Sequence, residues 1–319
     1  MLISTLLCGY YLSMFMVTYV CDTQRSKHFP SSHFFLRQHR TERKVVPRCT
    51  VQRNGRIEVA VVGVEEKASV GCPVRFQQIL GVRFIVGDAH DAIDQVSRQG
   101  GLVVVPAAPA LKNLTQDKRY CEALLGADFA IADSALMVLS WNLIQGDRIP
   151  KLSGLKYLRA LLVRPEFREA GSSFWVMPTA SSAHRNRAWL VANGVSVPPE
   201  ELYAAPMYGA SVEDAELLRQ LEERRPRHIV IGLGGGTQER LGLYLKRNLS
   251  YKPAIHCIGA AIAFLSGDQV RIPVWVDKVG LGWLWRSISD PPRYGPRYWE
   301  AWHLAPMILR YRDRLPSIV

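Results

Sequence analysis

Along the chain, short apolar runs alternate with longer segments in which apolar residues recur every three or four positions. Runs at residues 82–86, 102–105, 129–132, 174–177, 228–233 and 255–258 are rich in Val, Ile, Leu and Phe. Such runs suit strands covered on both faces. Residues 57–63 read as another strand or as a loose leader. Between the runs lie helical patterns. Residues 89–98 put Ala89, Ala92, Ile93 and Val96 on one face, and Gly100-Gly101 closes the helix. Residues 110–125 and 134–145 predict helices closed by Gly126 and Gly146. Residues 184–193, 212–225 and 237–248 predict three more, and a further apolar helix runs from Gly259 to Leu265. This alternation predicts an α/β fold: a Rossmann-like, mainly parallel sheet with flanking helices and a C-terminal helical appendage.

Parallel sheets bind ligands beyond the C-terminal ends of their strands. Three features fall on that edge: Asp133, the turn at residues 178–182, and Gly234-Gly235-Gly236. One glycine after a strand is ordinary turn chemistry, so the weight lies in the three together. The glycines do not make a GxGxxG fingerprint, since no third glycine falls where that motif needs it. A helix starts directly after them, however, so free N–H groups and the positive end of its dipole face a bound phosphate. Gln238 and Glu239 lie in its first turn, within reach of a ligand over the loop; Glu239 also complements the dipole.

Composition narrows the class. Apolar residues make up 48% and charged residues 21% of 319, which excludes a wholly disordered, collagen-like or multi-span membrane protein. The net charge is +12. It is unevenly placed: residues 22–56 carry nine basic and two acidic groups, residues 271–319 eight and four, and residues 57–270 twenty-three and twenty-two. Positive charge confined to the ends points to an anionic partner, with nucleic acid and a membrane surface both open. Cys8, Cys21, Cys49, Cys72, Cys121 and Cys257 lack metal-knuckle or redox spacing and read as free thiols. Residues 1–21 hold no charge and are long enough to span a bilayer. They read as a membrane anchor, a leader from a start codon assigned too early, or a signal peptide. Basic residues follow the stretch, which for an anchor places the rest on the cytosolic side. The organisation expected is thus 1–21 anchor or leader, 22–56 basic and poorly ordered, 57–270 α/β core, and 271–319 basic, aromatic appendage.

The stretch IGLGGGTQERLGLYL, followed by CIGAAIAFLSGDQVRIPVWVDKVGLGWLWRSISDPPRYGPRYW, resembles the WecG/TagA/CpsF glycosyltransferases, glycosyltransferase family 26. That family carries a glycine loop with a Gln-Glu pair, a G-A-x-F-x-F-L-x-G segment, and a Gly-Leu-x-Trp-Leu core with a Pro-Arg pair. Upstream, GADFAIADSALMVLSWNLIQGDRIPKLSG resembles its A-D-x-x-x-x-D-G segment. Similarity runs from about residue 81 to about residue 299.

The resemblance implies an inverting, metal-independent hexosyltransferase without a cofactor. It implies transfer of an N-acetylmannosamine-type or related hexose from a UDP-sugar to a polyprenyl-diphosphate-linked acceptor, in surface polysaccharide or exopolysaccharide synthesis. It places Asp133 as the catalytic base. Gly234, Gly235, Gly236, Gln238, Glu239, Ser181 and Ser182 would bind substrate, and Arg286, Arg293 and Arg297 would neutralise the departing diphosphate. It further implies the cytosolic face of the plasma membrane, bound peripherally or through the N-terminal anchor, and a homo-oligomer. Trp283, Trp285, Tyr294, Tyr298 and Trp299 among the arginines fit a bilayer interface; a nucleic-acid groove would show the same mixture, but the overall match argues against nucleic acid as a partner.

The first half departs from the pattern. Val105-Pro106-Ala107 replaces a Thr-Pro-Asn-like turn, and Asp133-Ser134 replaces Asp-Gly. Residues 151–156, KLSGLK, replace an Arg-x-x-Gly-Ser-Asp segment, leaving Lys151 and Ser153 as polar substitutes. Residues 177–182, MPTASS, replace a Gly-Gly-Lys loop with a stiff turn bearing hydroxyls. These losses admit a second reading: a weakly active or inactive homologue that binds nucleotide-sugar or scaffolds a polysaccharide synthase complex.

Overall fold

The computed structural model describes residues 49–53, 56–60, 74–146, 148–209, 211–268, 282–289 and 291–317. The apolar stretch at residues 1–21 lies outside them. Strands β1 (Cys49–Arg53) and β2 (Arg56–Ala60) belong to a separate unit, Met1–Ala68, and pair antiparallel with Arg53 opposite Arg56. β1 falls within the segment expected to be poorly ordered.

The second unit is built on an eight-stranded sheet in the order β3-β4-β6-β5-β10-β9-β7-β8. Its strands are β3 (Arg75–Ile79), β4 (Val82–Val86), β5 (Gly101–Val104), β6 (Phe129–Ala130), β7 (Ser173–Met177), β8 (Leu202–Ala204), β9 (His228–Ile231) and β10 (Ala254–Cys257). Only β3 runs antiparallel; it joins β4 through a tight turn in which Leu80 and Gly81 both have positive φ. The other pairings are parallel, as the unbroken apolar runs predict.

Helices cover both faces. On one face Leu102, Val104, Ile229 and Ile231 pack against α2 (Ala108–Leu111), α3 (Lys118–Leu125), α4 (Ala135–Gln145), α7 (Ala215–Arg224) and α8 (Thr237–Asn248). On the other face Val103, Val230 and Trp175 pack against α1 (Ala89–Gln99), α5 (Gly154–Leu162), α6 (Ala180–Ala192) and α9 (Ala261–Ser266). Gly242 lets α8 approach the sheet. A Cβ there would fall 2.6 Å from Leu102 Cδ1 and 2.9 Å from Cys257 Sγ.

Several elements differ from the sequence reading: strands β3 and β8 fall on residues for which no strand was expected. The helix expected over residues 110–125 is broken into α2, a 3₁₀ turn (Lys112–Thr115) and α3. Asp117 accounts for the break: its carboxylate accepts the Tyr120 N–H at 2.9 Å and so starts a new helix. Helix α5 was not anticipated. Ser153 caps it, accepting the Lys156 N–H at 3.1 Å, and Leu155, Tyr157, Leu158 and Leu161 bury one face.

The C-terminal segment forms α10 (Gly282–Ser289), α11 (Pro291–Ala301) and α12 (Leu304–Tyr311). α11 packs on α2 and α12 on α4, with Leu304 and Ile308 fully buried. The chain then meets the β3–β4 turn, where Leu80 N–H donates to Arg312 O at 2.8 Å and Gly81 N–H to Asp313 O at 2.9 Å. Among the described residues no helix is long and apolar enough to cross a membrane.

Candidate active site at the C-terminal edge of the sheet

The chain leaves β5 toward α2 on one face and leaves the neighbouring β10 toward α9 on the other. Adjacent strands that part this way open a crevice at their C-terminal ends. Asp133 sits beside it. Ile131 N–H extends β6 by donating to Val104 O at 2.9 Å, and Asp133 follows two residues later, half-buried. Ser134 then caps α4, accepting the Met137 N–H at 3.1 Å.

The Asp133 carboxylate is held from across the chain. Its Oδ1 accepts the Gly154 N–H at 3.0 Å, so the start of α5 is aimed at it. Gly154 fits because it has no side chain: a Cβ would lie 3.1 Å from Val105 Cγ1 and 3.8 Å from Ile258 O. The ends of β5, β6 and β10 and the start of α5 therefore meet around Asp133. Val105 and Pro106 are buried here and Ala107 is exposed, so this turn presents only apolar side chains. Ser153 is 7% exposed and spends its hydroxyl on the α5 cap.

The glycine loop follows β9. Gly236 has φ +92°, which favours glycine, and α8 begins at the next residue. Among the described residues, no atom lies within 4 Å of a Cβ built on Gly234 or Gly236, and Gly235 meets only Ala110 Cβ at 3.9 Å, so the loop borders space beside α2 that no described residue fills.

Gln238 and Glu239 point inward. They are 2% and 0% exposed. Glu239 accepts Gly236 N–H at 2.6 Å and the Gln238 amide at 3.0 Å, while Gln238 Oε1 accepts Gly259 N–H at 2.7 Å. The pair ties the loop after β9 to the turn after β10. Burial raises the Glu239 pKa, against the lowering effect of these donors.

At the end of β7, Thr179 caps α6 by accepting the Ser182 N–H at 3.1 Å. The Ser182 hydroxyl donates to Asp268, and Arg185 spans Asp268 and the Ser181 hydroxyl. Both serines are therefore engaged with α6 and the end of α9. Burial alone would raise the Asp268 pKa, but Ser182 and Arg185 outweigh it and hold it below the usual range. The backbones of Arg286, Arg293 and Arg297 lie in α10 and α11; their side chains are outside the described residues. The packing of α11 and α12 on α2 and α4 sets the appendage against the two helices that leave β5 and Asp133.

Sequence reasoning singled out Asp133 and the glycine loop but missed Gly154 and Asp268. The Ser-Gly step before an apolar helical stripe was the available signal for Gly154. Nothing local marks Asp268, whose partners lie more than eighty residues away.

A search of curated proteins found no match. The glycosyl transferase WecG/TagA/CpsF family model matches residues 77–317, from within β3 to beyond α12. With well over half of its length matched, the chain belongs to the WecG/TagA/CpsF family of glycosyltransferases.

Proposed function

We propose that this glycosyltransferase moves an N-acetylmannosamine-type or related hexose from a UDP-sugar to a polyprenyl-diphosphate-linked acceptor, with inversion and without a metal. The observation that carries the reading is Asp133, fixed by Gly154 beside the crevice of a family-matched fold. In a direct displacement the Asp133 carboxylate takes the proton of the acceptor hydroxyl. The acceptor oxygen bonds to the anomeric carbon as the bond to the diphosphate breaks, and UDP leaves. The open glycine loop and the N-terminus of α8 supply N–H groups for the diphosphate. Arg286, Arg293 and Arg297 supply charge as it develops. The reaction is placed at the cytosolic face of the plasma membrane. The exposed Trp299, Trp302 and Leu309 of the appendage, followed by Arg310, Arg312 and Arg314, support an interfacial tail.

A second reading is favoured by residues 105–107, whose side chains offer a donor sugar no hydrogen bond. It is a homologue that binds nucleotide-sugar, or scaffolds a synthase complex, without turnover. UDP release from a panel of UDP-sugars, with a lipid-diphosphate-linked acceptor in detergent or vesicles, decides between them. Acceptor-dependent release supports transfer; UDP binding with no release for any donor supports the second reading.

A further inference from the structure

Away from the crevice, the apolar core between the sheet and α5 holds a line of polar side chains that the proposed chemistry does not use. Tyr157, His256 and His228 are each 0% exposed. Tyr157 Oη lies 2.7 Å from His256 Nδ1, and His256 Nε2 lies 3.2 Å from His228 Nδ1. His228 Nε2 is 4.0 Å from Glu166 Oε1 and has no hydrogen-bond partner among the described residues. Burial holds His228 down at about 4 and His256 well below the ordinary histidine value, so both rings are neutral near pH 7.

One direction of donation suits neutral rings. The Glu166 carboxylate favours a proton on His228 Nε2, which makes His228 Nδ1 an acceptor. His256 then donates from Nε2 and accepts at Nδ1, and the Tyr157 hydroxyl donates to it. Buried polar groups cost free energy unless paired, and apolar neighbours would fill the same volume without that requirement. What the pairing adds is direction. Apolar contacts of α5 with the sheet resist separation but tolerate small slides along it; a hydrogen bond at 2.7 Å does not.

Tyr157 lies one turn beyond Gly154 on α5, and His256 stands in β10 paired between Val103 and Val230. We propose that Tyr157 and His256 are positioning residues: their hydrogen bond fixes α5 along its axis and thereby delivers the Gly154 N–H to Asp133. The functional part of this inference rests on the reading of Asp133 as the base; the structural part does not.

The test uses the full chain in four forms: wild type, Tyr157→Phe, His256→Asn and His256→Gln. An Asn amide stands near the Nδ1 position and keeps a partner for Tyr157; a Gln amide stands near Nε2 and does not. Amide hydrogen exchange over residues 151–158 is read first. Exchange should quicken about three- to tenfold in Tyr157→Phe, the effect of one lost hydrogen bond on local opening, and at least as much in His256→Gln, while His256→Asn stays near wild type. With the UDP-release assay, kcat should fall with the exchange change while KM for the donor holds. Unchanged exchange in Tyr157→Phe, or equal effects of Asn and Gln at 256, overturns the inference whatever the activity. Altered exchange in a wild-type background that releases no UDP leaves the positioning intact and overturns only the transferase reading.

Discussion

Asp133 and Gly154 stand 21 residues apart in sequence, and the carboxylate of one accepts the backbone N–H of the other at 3.0 Å. That contact joins the end of β6 to the start of α5, where Val105 crowds any side chain at 154. Gly154→Ala puts a methyl 3.1 Å from Val105 Cγ1, so α5 or Val105 must shift by a few tenths of an ångström. Turnover should fall several-fold with little loss of melting temperature, since alanine is a good helix former. Adding Val105→Ala should restore most of it. No rescue in the double variant would mean that Val105 is not the obstacle.

Glu239 tests whether the buried Gln-Glu pair is a clamp. Glu239→Ala leaves the buried Gln238 amide and the half-buried Gly236 N–H without their acceptor. It should cost about 1–3 kcal/mol, chiefly the one unmet buried donor, with Glu239→Gln milder because it keeps one acceptor. Denaturant midpoints check the order. Equal, small effects of both would contradict the clamp.

The buried histidines make stability fall in acid. His228 titrates at about 4 when folded and near 6.5 when unfolded. Between those values the unfolded chain binds a proton that the folded one does not, so stability drops as pH falls from about 6.5 toward 4. At the low end His228 alone accounts for about 3 kcal/mol at ~1.4 kcal/mol per pH unit. His228→Asn should flatten the slope of stability against pH in that window; an unchanged slope would place the proton uptake elsewhere.

Arg286, Arg293 and Arg297 are best tested by substitution. Truncation after Asp268 would also strip α12 from α4 and uncover the contacts of Leu304 and Ile308. Each Arg→Ala variant should lower kcat/KM about tenfold, the ~1.4 kcal/mol scale of one charge-assisted phosphate contact, without changing the melting temperature. Full activity in all three would remove them from the site.

Much of the sheet was legible because parallel strands covered on both faces read as unbroken apolar runs. β4, β5, β7, β9 and β10 all fall within a residue or two of their runs, and α8 matches its expected limits at residues 237–248. What escaped depends on other signals. The break between α2 and α3 turns on one capping carboxylate, Asp117, inside an otherwise helical stripe. α5 begins at a Ser-Gly step that composition alone assigns to a loop. β1 lies in a charged stretch that shows little apolar periodicity, whereas β2 overlaps the strand read at residues 57–63. At the site, Asp133 and the glycine loop could be read from strand ends. The inward turn of Gln238 and Glu239 could not, because only the Gly236 and Gly259 N–H groups explain it.

The central claim is that Asp133 removes the acceptor proton in sugar transfer from a UDP-sugar. Its most direct test is acceptor-dependent UDP release by wild type and Asp133→Asn. The Asn side chain still accepts the Gly154 N–H, so the fold and donor binding should persist. Turnover should fall about 10²- to 10⁴-fold, the usual share of a general base. Equal turnover by the two proteins would contradict the assignment.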